Sequence, residues 1–316
     1  MDSNRLAVVG VLETTPGTRV EPIASDSDIV YIGSGQVVIS NGIESLGKLL
    51  DGTFDDAPVA GGKKTMSVPD YMFEIKTGLT PQDEPKWYKD AKACGGKVVD
   101  YLGVSDEVGI LFDGTPSCNT LSINATNGEC GQRGVAYKGR GMRGNFILSI
   151  DGSNAPLMAK ISGMQGALVS RTELVSSPPI TVVGDDKTAT EVCAKYVFTL
   201  GSTVYQIHTL EFDNGNGITF EGGNSDSGVV KSKITSKDKR LKITATMLDS
   251  GDTVLEDAQN LTVYDTITLT GGSGAGLDVV FSGCQQLDPT IGDLDGTVTW
   301  EIETIVKSCL IQQKDK

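Results

Sequence analysis

The chain has 316 residues and a formal net charge of −14 at pH 7, with 27 basic residues against 41 acidic ones. This excess of carboxylates argues against tight nucleic-acid binding, which needs a basic surface to displace counterions from phosphates. It also argues against a resting place on an anionic membrane. A single histidine, His208, excludes metal sites built from two or three histidines and most histidine-based catalysis.

The N-terminal residues predict no export signal. The apolar run Leu6–Leu12 is followed at once by Glu13 and by Thr14–Gly17, without a small-residue cleavage site. No stretch approaches the roughly 20 apolar residues that a membrane-spanning helix needs. The six cysteines are scattered and lack metal-binding spacing, so we expect free thiols in a reducing cytoplasm.

Alternation of apolar and polar residues predicts half-buried strands along most of the chain. The clearest runs place the following side chains on a buried face: Tyr71, Phe73 and Ile75; Phe146, Leu148 and Ile150; Leu241, Ile243, Ala245 and Met247; Val298, Trp300 and Ile302. Polar or Gly-rich turns, such as 236–240 and 271–276, separate the runs. This pattern indicates a mainly β protein, a sandwich or barrel formed by one domain over residues 1–316.

Two polar segments interrupt the strand pattern. Residues 40–64 lie between a strand near 36–39 and one near 70–77, and they predict a long, extended hairpin loop. Loops of this length without structure of their own are usually functional. This loop carries a short apolar patch formed by Leu46, Leu49 and Leu50. Residues 213–228 are predicted to form a second polar loop.

One amphipathic helix is predicted at about residues 85–94. Pro85 suits a first helical position, and the Gly95–Gly96 pair ends the pattern. The apolar side chains recur at helical spacing, so we expect the helix to pack on a sheet through Trp87, Tyr88, Ala91 and Cys94.

No motif in the sequence indicates catalysis, a cofactor or a metal. The G-x-G-x-x-G run at 139–144 precedes a strand pattern, whereas a dinucleotide site needs a helix there; we interpret it as a tight turn at the start of a strand. The acidic segments 213–217 and 293–296 lack the twelve-residue loop and closing Glu of a calcium-binding EF-hand, so ordinary turns are favoured. His208 has no partner motif and is interpreted as structural.

Several segments follow one another in a recognisable order and spacing. They are Leu6–Gly10, Glu13–Gly17 and Pro22–Asp26; Pro85–Gly96 with its Ala93-Cys94-Gly95; Phe112–Gly114, Lys138–Phe146, Ile150–Gly152 and Ile161–Gly163; and Gly283–Pro289 with Gly292–Gly296. In these segments the chain resembles the tail tube, or major tail, proteins of long-tailed bacteriophages. The resemblance covers nearly the whole chain, but residues 177–200 do not match clearly.

The resemblance implies a β-sandwich with a flanking helix and a long hairpin. It further implies that six copies form a ring, that the inner sheets join into a barrel, and that rings stack into a hollow tube. DNA would cross this lumen during infection without specific binding. The implied partners are other copies of the chain, a tail terminator, a tape-measure protein and distal tail or baseplate proteins. The implied location is the virion tail, after assembly in the cytoplasm of the bacterial host.

A lumen lined with carboxylates would repel phosphates and let DNA slide. The candidates for lumen-facing residues are Asp70 and Glu74 on the polar side of one strand, and Glu301 and Glu303 on the last strand. Alternation does not say which sheet face is inside, so an outer, solvent-facing wall is equally open for all four. The 40–64 loop, with its three leucines, is the candidate contact between rings.

Two other classes of protein remain open at this point. A phage receptor-binding or decoration protein that recognises a host surface would also be β-rich, Gly-rich and acidic, although a fibre should show repeats that are not found here. A secreted β-sandwich enzyme or lectin is opposed by the missing export signal and the single histidine. A carboxylate pair for glycoside hydrolysis, however, needs only proximity in space.

Overall fold

The structure is a computed structural model of the chain. It describes residues 5–22, 31–40, 44–48, 56–59, 63–75, 84–85, 87–100, 108–127, 134–152, 155–174, 196–223, 229–248, 251–271 and 276–313. Over these ranges the protein is mainly β with two short helices, which confirms the predicted fold class.

The strands, in chain order, are β1 (Arg5–Leu12), β2 (Tyr31–Ser34), β3 (Val38–Ser40), β4 (Glu44–Lys48), β5 (Asp56–Val59), β6 (Thr65–Ser67), β7 (Tyr71–Glu74), β8 (Lys97–Asp100), β9 (Val108–Phe112), β10 (Leu121–Asn127), β11 (Gly134–Asp151), β12 (Met158–Leu174), β13 (Tyr196–Leu200), β14 (Thr203–Tyr205), β15 (Ile207–Asp213), β16 (Asn216–Gly222), β17 (Val229–Lys237), β18 (Arg240–Thr246), β19 (Val263–Gly271), β20 (Leu277–Gln286), β21 (Thr290–Leu294) and β22 (Thr297–Gln313). The helices are α1 (Tyr88–Ala93) and α2 (Val254–Gln259).

Two long strands organise the main antiparallel sheet. Strand β11 pairs with β12 along one edge and with β10 and then β15 along the other. Strand β22 pairs with β21 and β20 along one edge and with β18 and β9 along the other. Because β15 pairs with β18, the two long strands belong to one continuous order, β7–β12–β11–β15–β18–β22.

The sheet turns back on itself so that its apolar faces meet. Phe146 on β11 stacks on Phe112 of β9, with ring centroids 4.8 Å apart. Phe212 on β15 packs against Phe281 of β20 at 5.5 Å. All four rings are fully buried. Strands β11 and β15 therefore face β9 and β20 across a core, as in a β-sandwich.

The predicted helix is confirmed, although it is short. Trp87 lies just before α1, is 3% exposed, and stacks on Phe146 with centroids 6.1 Å apart. Tyr88, Ala91 and Cys94 are buried with it, as the helical spacing predicts. The prediction of a single helix is wrong, because α2 adds a second one. Only its Val254 and Ala258 are buried, too few positions to reveal a period in the sequence.

The long hairpin is also present. Strands β3 and β6 pair at its base, and β4 pairs with β5 in a separate two-stranded sheet, so the segment 40–64 is not a structureless loop. The strand that closes the hairpin is β6 and not the predicted one at 70–77. Leu46 belongs to β4, while Leu49 and Leu50 lie outside the described residues.

The second predicted loop is wrong as stated. Within residues 213–228, the segment Asn216–Gly222 forms β16, which pairs with β17 as a hairpin lying against β11 and β12. Its many glycines and asparagines weaken the strand signal. The side-chain amides of the buried Asn214 and the partly buried Asn216 both donate to the carbonyl oxygen of Cys94, at 2.9 and 2.6 Å.

The G-x-G-x-x-G run does not start a strand. It lies in the middle of β11, where the pairing register shifts at bulges against both β10 and β12. Gly141 has φ +60°, and a Cβ there would lie 2.5 Å from the Cα of Lys231 on β17. The glycine therefore permits two backbones to cross closely, and no helix follows it.

A buried carboxylate fixes the segment before this crossing. Glu13 is 6% exposed. Its Oε2 accepts hydrogen bonds from the Gly17 N–H and the Thr120 hydroxyl, both at 2.6 Å. Its Oε1 accepts from the Ser122 hydroxyl and the Gly141 N–H, both at 2.8 Å. One side chain thus joins the first turn, β10 and the bulge of β11.

Candidate functional site

One row of cross-strand neighbours crosses six strands of the main sheet. Residues directly opposite one another in antiparallel pairs share a face, so all members of the row point the same way. The row consists of Glu74, Met158, Ser149, Glu211, Lys242 and Glu303. Two of the predicted lumen residues, Glu74 and Glu303, therefore lie at the two ends of one row, about 24 Å apart at ~4.8 Å per strand.

The other two candidates lie on the same face. Glu301 precedes Glu303 by two positions on β22 and belongs to a parallel row formed by Asp151, Thr209, Thr244, Glu301 and Thr290. Asp70 precedes Glu74 by four positions, just before β7, and points to the same side by strand alternation. The structure thus brings all four together on one surface.

We call this surface the acidic face. Its carboxylates outnumber its cations. The carboxylates are Asp70, Glu74, Asp151, Glu211, Asp213, Glu301 and Glu303, and the cations are Lys160, Arg240 and Lys242. On the opposite side of the same strands lie fully buried core residues such as Leu148 and Phe212. The face is therefore the outer surface of the sandwich wall.

The ion pairs and the side-chain hydrogen bond on the acidic face are exposed to solvent. Lys160 pairs with Asp70 at 3.0 Å, and Arg240 pairs with Glu303 at 3.7 Å. The Thr290 hydroxyl donates to Glu301 at 3.1 Å. An open depression of about 650 Å³ lies over the middle of the face. Because exposed ion pairs contribute little and are screened by salt, the face presents a net negative surface to an approaching polymer.

Three carboxylates of the face were missed by sequence reasoning. Asp151, Glu211 and Asp213 occupy outward positions of alternating runs whose buried residues were partly recognised. The alternation already indicates these positions, because two outward residues that lie two positions apart on one strand share a face. What the sequence lacks is the pairing that puts β7 and β22 on one sheet.

A second buried carboxyl lies behind β7. The Tyr71 hydroxyl donates to Asp90 Oδ1 at 2.7 Å, and both side chains are buried. Asp90 Oδ2 has no hydrogen-bond partner among the described residues. Burial raises the pKa of Asp90, and the neighbouring Cys94 thiol has a raised pKa from burial and from the carboxylate of Asp90. This group is enclosed in the core and does not reach the acidic face.

Other expectations concern single residues. His208 sits at a bulge of β15, and its Nε2 lies 2.8 Å from the Thr246 hydroxyl, which supports a structural role. Cys94, Cys118, Cys284 and Cys309 are free thiols, and the remaining two cysteines lie outside the described residues. In the described ranges, no group of three or more His, Cys, Asp or Glu side chains could hold a metal ion.

The acidic turn at 293–296 is an ordinary hairpin turn. Leu294 pairs with Thr297, so Asp295 and Gly296 form a two-residue loop with φ +51° and +82°. Such Asp-Gly loops match the twist of an antiparallel pair. The described part of the chain contains no helix long and apolar enough to cross a bilayer.

No protein-family model matches the chain, and no curated protein sequence matches it either. The resemblance to tail tube proteins therefore stays a prediction from the sequence.

Proposed function

We propose that the protein is a structural virion protein that assembles into stacked rings and forms the hollow tail tube of a long-tailed bacteriophage. The rings are expected to contain six copies, and the acidic face is expected to line the lumen. The observation that carries the proposal is the placement of Asp70, Glu74, Glu301 and Glu303 on one face of one six-stranded antiparallel wall.

Charge and shape support this function. A conduit for DNA must not bind phosphates, and a net charge of −14 with a carboxylate-rich sheet face meets that requirement. Open sheet edges promote aggregation unless another chain pairs with or covers them. Closure of head-to-tail contacts into a ring removes that hazard. We expect the β3–β6 hairpin, whose connecting segment contains the paired strands β4 and β5, to form the contact between rings.

Electron microscopy of the purified protein at low and raised salt tests the proposal directly. Salt screens the repulsion between subunits of charge −14, so raised salt should promote assembly. We expect hollow tubes with a regular axial repeat or closed sixfold rings. Compact monomers or slender trimers under every condition would contradict the proposal and favour a receptor-binding protein.

The lumenal assignment has its own test. Phage carrying Asp70→Lys and Glu74→Lys should assemble tails normally but deliver DNA more slowly, because the reversed charges attract phosphates. The matched control is Glu256→Lys with Asp265→Lys, which changes the net charge equally at exposed positions away from the acidic face. Normal ejection kinetics with the lumenal pair, or an equal delay with the control pair, would show that the acidic face does not contact DNA.

A further inference from the structure

The described part of this acidic protein contains a strongly basic depression. It lies between β17 and the segment that follows β9, and its volume is about 420 Å³. The cations that line it are Arg143, Lys231, Lys233, Lys237 and Lys239. Glu221 is the carboxylate of its lining, and it is 3.8 Å from Lys231. We call this depression the basic pocket.

Lys231 pairs with Glu221, but the other four cations of the basic pocket form no ion pair within the part of the chain that the structure describes. Arg143 is 5% exposed; its Nη2 donates to the carbonyl oxygen of Ser117, and its Nε has no acceptor among the described residues. Lys237 Nζ donates to two backbone carbonyls, those of Asp113 at 2.7 Å and Thr115 at 3.0 Å. Burial lowers the pKa of Arg143, and burial together with the charge of Lys239 lowers the pKa of Lys237.

The turn between β21 and β22 has the complementary character. Asp295 lies in its two-residue loop and Asp293 lies two positions earlier, on β21. The apolar side chains beside them, Leu294, Ile291 and Val298, are 40%, 67% and 48% exposed. The basic pocket is also lined by the apolar groups of Ile234 and Pro116. An acidic turn with an apolar flank thus matches a basic pocket with apolar walls. We call this hairpin end the acidic tip.

The two features of one chain lie too far apart to meet. The carbonyl oxygen of Lys239, in the basic pocket, accepts a hydrogen bond from Val306 of β22, whereas the acidic tip ends at Thr297 of the same strand. At ~3.3 Å per residue this part of β22 spans roughly 30 Å. A contact between basic pocket and acidic tip must therefore join two copies, and it would be heterologous, as ring or stack formation requires.

We propose that the basic pocket receives the acidic tip of a second copy of the chain, with carboxylates of the tip pairing with the cations of the pocket. This inference deepens the proposed function and rests on it, because it assigns one of the contacts by which subunits assemble. The approach of two unlike surfaces also explains how copies that each carry −14 can associate at all.

Cysteine cross-linking can locate this contact, because Cys118 is exposed and lines the basic pocket. Leu294→Cys would be made with Cys130 and Cys193 changed to Ser, and treated with a short bismaleimide. We expect a ladder of covalently joined copies on a denaturing gel. Adding Cys118→Ser should abolish the ladder. The control Val204→Cys lies on β14, where the side chain is 57% exposed against 40% for Leu294, and it should give no ladder.

A charge swap tests the chemistry of the contact. Lys233→Glu should reduce cross-linking at least tenfold, and combining it with Asp295→Lys should restore it. Asp295→Asn, which keeps a residue that tolerates positive φ, controls for the turn. A ladder that persists unchanged in both the Cys118→Ser and the Lys233→Glu variants would overturn the inference. If tubes form without a cross-link between positions 118 and 294, the inference is wrong and the proposed function stands. If the cross-link forms but tubes do not, the inference stands and the proposed function is wrong.

Discussion

Replacing Glu13 with Gln should destabilise the protein substantially, although the two side chains have nearly the same shape. Each carboxylate oxygen of Glu13 accepts one backbone N–H and one hydroxyl. A hydroxyl can rotate and accept a hydrogen bond from the new amide, but a backbone N–H cannot. Whichever way the amide turns, its NH₂ group faces the N–H of Gly17 or of Gly141.

The expected cost follows from that arrangement. One buried N–H loses its acceptor, and the surviving bonds lose the assistance of a full charge. Together these changes should lower the free energy of unfolding by about 2–4 kcal/mol. Urea unfolding followed by tryptophan fluorescence measures the change, because Trp87 and Trp300 are buried in the folded state.

The matched control is Glu21→Gln. Glu21 also holds several partners: Lys138 at 2.7 Å, Asn124 at 3.0 Å and Arg19 at 3.1 Å. Partial burial alone would raise its pKa, but these hydrogen bonds and the charge of Arg19 lower the pKa to about 2. Its side chain is 52% exposed, so the loss should stay below about 1 kcal/mol. A Glu13→Gln variant within that same margin would refute the role given to the buried carboxylate.

Three further predictions concern other parts of the molecule. Burial raises the pKa of Asp90 above the ordinary 3.8, so the stability that the protonated group contributes at low pH is lost as the pH rises through the raised pKa. Asp90→Asn should therefore gain stability relative to wild type as the pH rises above 3.8, and a stability difference from denaturant unfolding that does not change with pH would contradict this. Gly141→Ala should cost more than about 2 kcal/mol in the same assay, whereas Gly163→Ala, at φ +58° in open space, should cost about 1 kcal/mol; equal losses would disprove the close strand crossing. Deleting residues 45–60 should leave the melting temperature unchanged and block polymerisation, and tubes formed by the deletion variant would exclude the hairpin as a contact between rings.

Periodicity in the sequence predicts those elements in which one face is buried and the other is wet. Phe146, Leu148 and Ile150 are buried as predicted, and so are Leu241 and Ile243. The alternation fails at Val298, which lies on the same side of β22 as Trp300 but is 48% exposed. The reason is that the β21–β22 hairpin extends past the core there.

The candidate site was predictable only in part. Alternation identifies outward carboxylates on single strands, and Asp70, Glu74, Glu301 and Glu303 are indeed outward. That they share one surface depends on long-range pairing of β7 with β12 and of β18 with β22, which no local pattern encodes. The basic pocket was not predicted for the same reason, since Arg143 and Lys239 come together only when β17 crosses β11.

The place of β22 in the chain has a consequence for how the protein folds during synthesis. This strand follows all its partners in sequence, yet it lies between them in the sheet, with β18 and β9 on one edge and β20 and β21 on the other. Until β22 has left the ribosome, the nascent chain therefore exposes the open edges of β18 and β20. Strands of other chains can pair with such edges. Completion of the sandwich must therefore wait until β22 has been synthesised and can pair with strands that were made before it.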